Sequence, residues 1–163
     1  KFFQGKVDKY TWVDIGSSYL PGELIASFLM AQFEKSFAIT KRRMSLWNRY
    51  HRELADLEKA GHIRRPIIPV HARHNAHLYY ILTKNASERI GLIDFLKNKG
   101  ILAVTHYVPL HSSPGGRRFG RFIGSMKVTN TTANTLIRLP LFYDLKLSEQ
   151  DDILEAIHDY YKR

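Results

Sequence analysis

No cysteine occurs in the 163 residues, so disulfides and thiolate metal sites are excluded, and a reducing, cytoplasmic setting is expected. Long apolar runs are missing too. The longest, Leu24 to Met30, is interrupted by Ser27 and falls far short of the roughly 20 residues that a membrane-spanning helix needs. No signal peptide is visible. Nucleophile elbows, GxxxxGK phosphate loops and dinucleotide GxGxxG motifs are all absent, as are internal repeats and low-complexity tracts. Acidic residues are few, 15 against 25 Lys and Arg, giving a net charge of +10. That excess admits a polyanionic partner such as nucleic acid. The cations are nevertheless spread along the whole chain and interleaved with acids, as on a solvated surface, and a smaller anion such as a nucleotide diphosphate would suit them as well.

What is present is ample apolar material: 44% hydrophobic residues, with nine Phe, nine Tyr and two Trp, enough to outweigh the entropy of ordering the chain. The opening Lys1-Phe2-Phe3-Gln4-Gly5 reads like the middle of a domain and suggests a truncated chain. Residues 1–20 read as extended or irregular chain ending in a turn at Gly16-Ser17-Ser18. Pro21 and Glu23 then open a helix, and residues 22–60 read as one long or slightly broken helix. Its first half carries a broad apolar stripe that predicts burial on more than one side; its second half narrows to Arg43, Leu46, Tyr50, Leu54 and Leu57 and predicts an amphipathic surface helix stopped at Ala60-Gly61.

Ile63 to Val70, with Pro66 and Pro69, reads as an extended linker. A strand is predicted over His77–Leu82, a helix from the capping box Asn85-Ala86-Ser87-Glu88 to Gly100, a second strand over Ile101–Tyr107, a long loop over Pro109–Gly124, a third strand over Leu136–Leu141, and a closing helix capped by Ser148 and Asp151. The sum is an α+β layer, a small sheet with helices on one face.

Three groups could carry chemistry. His71, His74 and His77 are spaced three apart, but the stretch has no acid and Pro69 disfavours the helix that would align them, so no metal site is expected. Thr105-His106-Tyr107-Val108-Pro109-Leu110-His111 ends a predicted strand and runs into the glycine-rich loop, where an imidazole can bond a phosphate or a sugar hydroxyl, or merely cap the strand. Gly16-Ser17-Ser18-Tyr19 precedes a helix N-terminus and is either a phosphate cradle or a plain N-cap. Asp151 and Asp152 are better explained by helix capping than by paired-carboxylate catalysis.

Taken in order, Tyr10 to Leu24, the Ala-Gln-Phe-Glu-Lys segment from Ala31, Asn75 to Tyr80, His106 to His111 and Leu139-Pro140-Leu141-Phe142-Tyr143 resemble the DegT/DnrJ/EryC/StrS-type sugar aminotransferases over essentially the whole chain. The resemblance implies the C-terminal small domain of a fold-type I transferase, preceded by a long connecting helix. Residues 1–36 would be the tail of the large cofactor domain, and residues 37–163 the small domain including that helix. It implies pyridoxal 5'-phosphate (PLP) as cofactor of the full-length homodimer, with the Schiff-base lysine upstream, so that this fragment alone would be inactive and would not hold the cofactor. The implied reaction moves an amino group from glutamate to a keto sugar nucleotide, the cofactor supplying the electron sink; some relatives instead dehydrate sugars. Ser17, Ser18 and Tyr19 match the loop that reaches the partner's cofactor phosphate, although many relatives have Asn at the position of Ser18 and Arg at that of Leu20. His106, Tyr107 and His111 match the substrate-side motif, and Arg117, Arg118 and Arg121 follow where a diphosphate could meet them. No metal, nucleic-acid or membrane partner is implied.

Overall fold

A computed structural model describes residues 20–162. It divides into two compact units, residues 1–36 and 37–163. The described part of the first unit is the helix α1, Glu23–Glu34, with Glu23 at the positive end of its dipole. None of its residues is buried, and Leu24 and Phe28 are 88% and 70% exposed. The burial expected of this stretch is therefore not seen: its apolar residues are spread around the helix, so no single neighbouring face could cover them.

The second unit holds the core. The long or slightly broken helix predicted over residues 22–60 is interrupted at Lys35 and again at Leu54, giving α2, Ser36–Glu53, and α3, Ala55–Lys59. Leu46, Tyr50, Leu54 and Leu57, spaced by four, four and three, share one face and are all buried, with Trp47 beside them. The half read as a surface helix is thus the one that carries the core. The expected linker after it contains a two-residue strand β1, Ile63–Arg64, ahead of the prolines.

Strand β2, Tyr79–Thr83, is central in an antiparallel sheet of order β1-β2-β3, with β3 at Leu136–Leu139 and the register Tyr79 opposite Leu139 and Ile81 opposite Ile137. Between them α4, Ala86–Asn98, begins as the sequence predicts: the Asn85 side chain accepts from the Glu88 amide at 2.9 Å. It ends at Gly100, whose φ of 76° is one that a side chain would resist.

Three expectations fail between α4 and the closing helix. The strand over Ile101–Tyr107 reduces to one bridge, Val104 to Arg138, beside which Arg138 Nε donates to Thr105 O at 3.2 Å. The long loop contains a 3₁₀ turn, Leu110–Ser112, and a short helix α5, Pro114–Phe119. A further helix α6, Lys127–Thr135, stands where the sequence predicts no element. Last, α7 spans Leu147–Tyr161 and buries Ile153, Leu154 and Ile157. Its cap lies earlier than expected, with the Glu149 carboxylate accepting from the Lys146 amide at 2.8 Å. Among the described residues no helix is long and apolar enough to cross a membrane.

Four arginines are used within the fold. Arg42 donates to Leu145 O at 2.6 Å, Arg43 to Ala76 O at 3.0 Å and Arg89 to Ala133 O at 2.9 Å. Arg49 reaches Leu147 O, Gln150 and Asp151 of α7. A guanidinium can satisfy several carbonyls from one stem, so these cations tie segments remote in sequence together and do not form a free basic face.

Arg65 also braces a titrating cluster. Its guanidinium and amide hold both oxygens of Glu58 at 2.7 Å, and it donates to His51 O. His51 stacks on Trp47 with centroids 4.7 Å apart, and its Nδ1 is buried without a hydrogen-bond partner among the described residues. Burial, with the Arg65 charge adding to it, holds the imidazole below its ordinary range. An unfolded chain takes up this proton near pH 6.5, the folded one only at lower pH, so stability falls as the pH drops through that interval. Lower down Glu58 acts in the same direction: burial pushes its carboxyl up, but the Arg65 amide and guanidinium outweigh this and hold it below its ordinary value. Urea midpoints should therefore decline from about pH 6.5 downward. His51→Phe keeps the stack and should flatten only the upper part of the decline; an unchanged profile between pH 7 and 5 would count against the assignment.

Candidate active-site cavity

The segment that follows the β2–α4 unit builds an open cavity of about 1060 Å³, lined by Leu110, His111, Gly115, Gly116, Arg117, Phe119, Gly120, Arg121, Phe122, Met126 and Thr129. Its wall is folded by hydroxyls. Ser112 Oγ donates to Pro109 O at 2.9 Å and Ser113 Oγ to Leu110 O at 2.8 Å, while Ser113 Oγ accepts from the Gly116 amide at 3.0 Å. Ser113 is thus the N-cap of α5 and Pro114 its first residue, where a missing N–H costs nothing. Gly116 is demanded by close approach: a Cβ there would sit 1.6 Å from Leu110 O.

His111 is half-buried on this wall, edge-on to Phe122 with centroids 5.3 Å apart, and its Nε2 lies 2.9 Å from Asn130 Oδ1. Arg117 and Arg121 line the same space; Arg118 does not, its guanidinium lying over the Phe119 ring at 4.9 Å. The cavity thus offers a mostly apolar wall with two guanidiniums and an imidazole, suited to a flat or apolar body carrying an anionic group.

Of the residues singled out from the sequence, His111, Arg117 and Arg121 come together. His106 and Tyr107 pack on each other, centroids 5.2 Å apart, on exposed chain outside the lining, with Tyr107 79% exposed. Ser17, Ser18 and Tyr19 lie outside the described residues. His74 lies against Trp47, centroids 4.4 Å apart, and its Nδ1 accepts from the Ala76 amide at 3.3 Å. Among the described residues no three His or acidic side chains stand close enough to hold a metal ion. Sequence reasoning missed Asn130 and Phe122; one sits on the unexpected α6, and the other had no pattern to mark it.

The architecture is shared with solved bacterial proteins. DesV of S. venezuelae, solved with a ketimine intermediate, superposes with a TM-score of 0.80 at 24% identity, over 98% of this chain and 42% of that one. A DegT DnrJ EryC1 StrS aminotransferase of Brucella abortus gives 0.79 at 24% identity, over 96% and 40%. Residues 3–158 match the DegT/DnrJ/EryC1/StrS aminotransferase family, and the chain belongs to that family. Similar curated proteins include the pleiotropic regulatory protein of Geobacillus stearothermophilus, 27% identical over 97% of this chain and 42% of that protein. Another is the dTDP-3-amino-3,4,6-trideoxy-alpha-D-glucose transaminase of Micromonospora megalomicea subsp. nigra, 24% identical over 84% and 36%. The chain thus spans less than half the length of these relatives.

Proposed function

We propose that this chain is the C-terminal part of a PLP-dependent aminotransferase that transfers an amino group from glutamate to the 4-keto carbon of dTDP-4-keto-6-deoxy-D-glucose. In this reading residues 1–36 belong with the large cofactor domain, whose surfaces cover the apolar sides of α1, and residues 37–163 form the small domain of a homodimer. The observation that carries it is the convergence of His111, Arg117 and Arg121 on one cavity within a chain of this family. The two guanidiniums suit the diphosphate of a nucleotide sugar, His111 a hydroxyl, and the apolar wall a base or a deoxysugar. A dTDP-sugar transaminase among the relatives supports the nucleotide, and the motifs from Tyr10 to Leu24 and from His106 to His111 support the 4-keto sugar.

The described residues do not fit PLP itself. Every described lysine is exposed and none lines the cavity, so a Schiff-base partner has to come from elsewhere. What this chain's residues do is bind and orient: the arginines hold the anion, and His111 and the apolar wall set the sugar's direction of approach. Ser17, Ser18 and Tyr19 are proposed to reach the cofactor phosphate of the partner subunit, and His106 and Tyr107 to contact substrate beside His111.

In the enzyme carrying this chain, His111→Ala should lower kcat/KM for the nucleotide sugar about tenfold, the effect of losing one good hydrogen bond, and leave the glutamate half-reaction near its starting rate. Separate half-reaction kinetics decide this. Equal loss in both halves would remove the substrate role.

A further inference from the structure

Among the described residues only one nitrogen of His111 is committed. Its Nε2 faces Asn130 Oδ1 at 2.9 Å. Asn130 stands one turn into α6, whose last turn is bound back to α4 by Arg89 through Ala133 O. On another side the ring meets Phe122 edge-on. The imidazole is therefore oriented by two groups, and one of them selects a protonation pattern. A carboxamide oxygen only accepts, so the nitrogen facing it carries the hydrogen, and in a neutral ring Nδ1 is then the lone-pair atom.

We propose that Asn130 is a positioning residue that holds His111 as the Nε2–H tautomer, so that the ring offers the cavity an acceptor and takes a ligand hydroxyl, leaving phosphate oxygens to Arg117 and Arg121. The inference rests on the reading of the cavity as a nucleotide-sugar site and narrows it: the group that His111 recognises is a sugar or ribose hydroxyl, not the diphosphate. The opposite amide orientation would give the opposite chemistry. An Asn NH₂ donating to a bare Nε2 would place the ring hydrogen on Nδ1 and make it a phosphate donor.

Nitrogen-15 spectra of the histidine-labelled chain distinguish the two. In the neutral ring, His111 should show an amine-type Nε2 and an imine-type Nδ1. Asn130→Asp, which can only accept, should preserve that pattern, whereas Asn130→Ala should let the shifts move toward the mixture of a free imidazole. An Nδ1–H ring in the parent chain, or shifts indifferent to Asn130→Ala, would overturn the proposal. In the enzyme, Asn130→Ala should raise KM for the nucleotide sugar about three- to tenfold with kcat little changed, and Asn130→Asp should restore it. If His111→Ala itself leaves sugar turnover intact, the reading of the cavity fails. If His111→Ala weakens turnover but Asn130→Ala alters neither shifts nor KM, only the present inference fails.

Discussion

Tyr50→Ala is expected to destabilise the second unit by about 3–5 kcal/mol, the cost of emptying an aromatic-sized space in a packed core. Tyr50 is fully buried, stacks on Tyr79 with centroids 5.1 Å apart, and donates its hydroxyl to Pro140 O at 3.0 Å. It therefore links α2 to the end of β3 by both packing and a hydrogen bond. The two contributions separate in phenylalanine variants. Tyr50→Phe keeps the stack and strands the Pro140 carbonyl, so a loss of about 1 kcal/mol is expected. Tyr79→Phe should be neutral or stabilising, because the Tyr79 hydroxyl is buried with no hydrogen-bond partner among the described residues and removing it ends a desolvation cost. Urea unfolding of the three variants gives the comparison. If Tyr79→Phe costs as much as Tyr50→Phe, the hydroxyl has a partner and the asymmetry is wrong.

That core was partly legible in the sequence, and where it was not the reason is physical. The spacing of Leu46, Tyr50, Leu54 and Leu57 shows one helical face, and the Asn85 cap and Gly100 stop bracket α4 because local chemistry alone decides them. Which half of the long helical stretch would be buried depends on partners, and periodicity does not report partners. Hence Leu24 and Phe28 read as core yet stand exposed. Helix α6 was invisible because its own composition argues against it: Lys127–Thr135 contains four Thr and two Asn, poor helix formers. It exists because Arg89 and the buried Thr135 hold it on α4 and β2. Thr135 donates to Thr131 O at 2.9 Å, and its own carbonyl accepts from Thr83 Oγ1 at 3.2 Å.

The same contrast runs through the site. His111 and the arginines could be singled out because their chemistry is visible one residue at a time, but what gathers them is a set of short-range bonds among Pro109, Leu110, Ser112, Ser113 and Gly116. Arg42, Arg43 and Arg89 likewise read as surface cations in the sequence and turn in the fold onto carbonyls that only tertiary structure brings within reach.

Gly116→Ala should separate the site from the fold completely. The added methyl would lie 1.6 Å from the Leu110 carbonyl oxygen, a backbone atom that no rotamer change can move, so the turn from Leu110 through α5 has to open. Opening it breaks the Ser113 cap on the Gly116 amide and the bond from the Gly120 amide to Gly116 O at 2.9 Å. His111 and Arg117 then lose their common wall. No residue of the 3₁₀ turn or α5 is buried, so the unfolding midpoint should move little while amide shifts change across Leu110–Phe122 and the ring-current effect of Phe122 on His111 disappears. In the enzyme, nucleotide-sugar turnover should fall by about a hundredfold or more, since misplacing a binding group by an ångström already costs that much, with the glutamate half-reaction spared. An alanine variant whose spectrum and sugar turnover match those of the parent would mean that the segment does not need its present conformation to act.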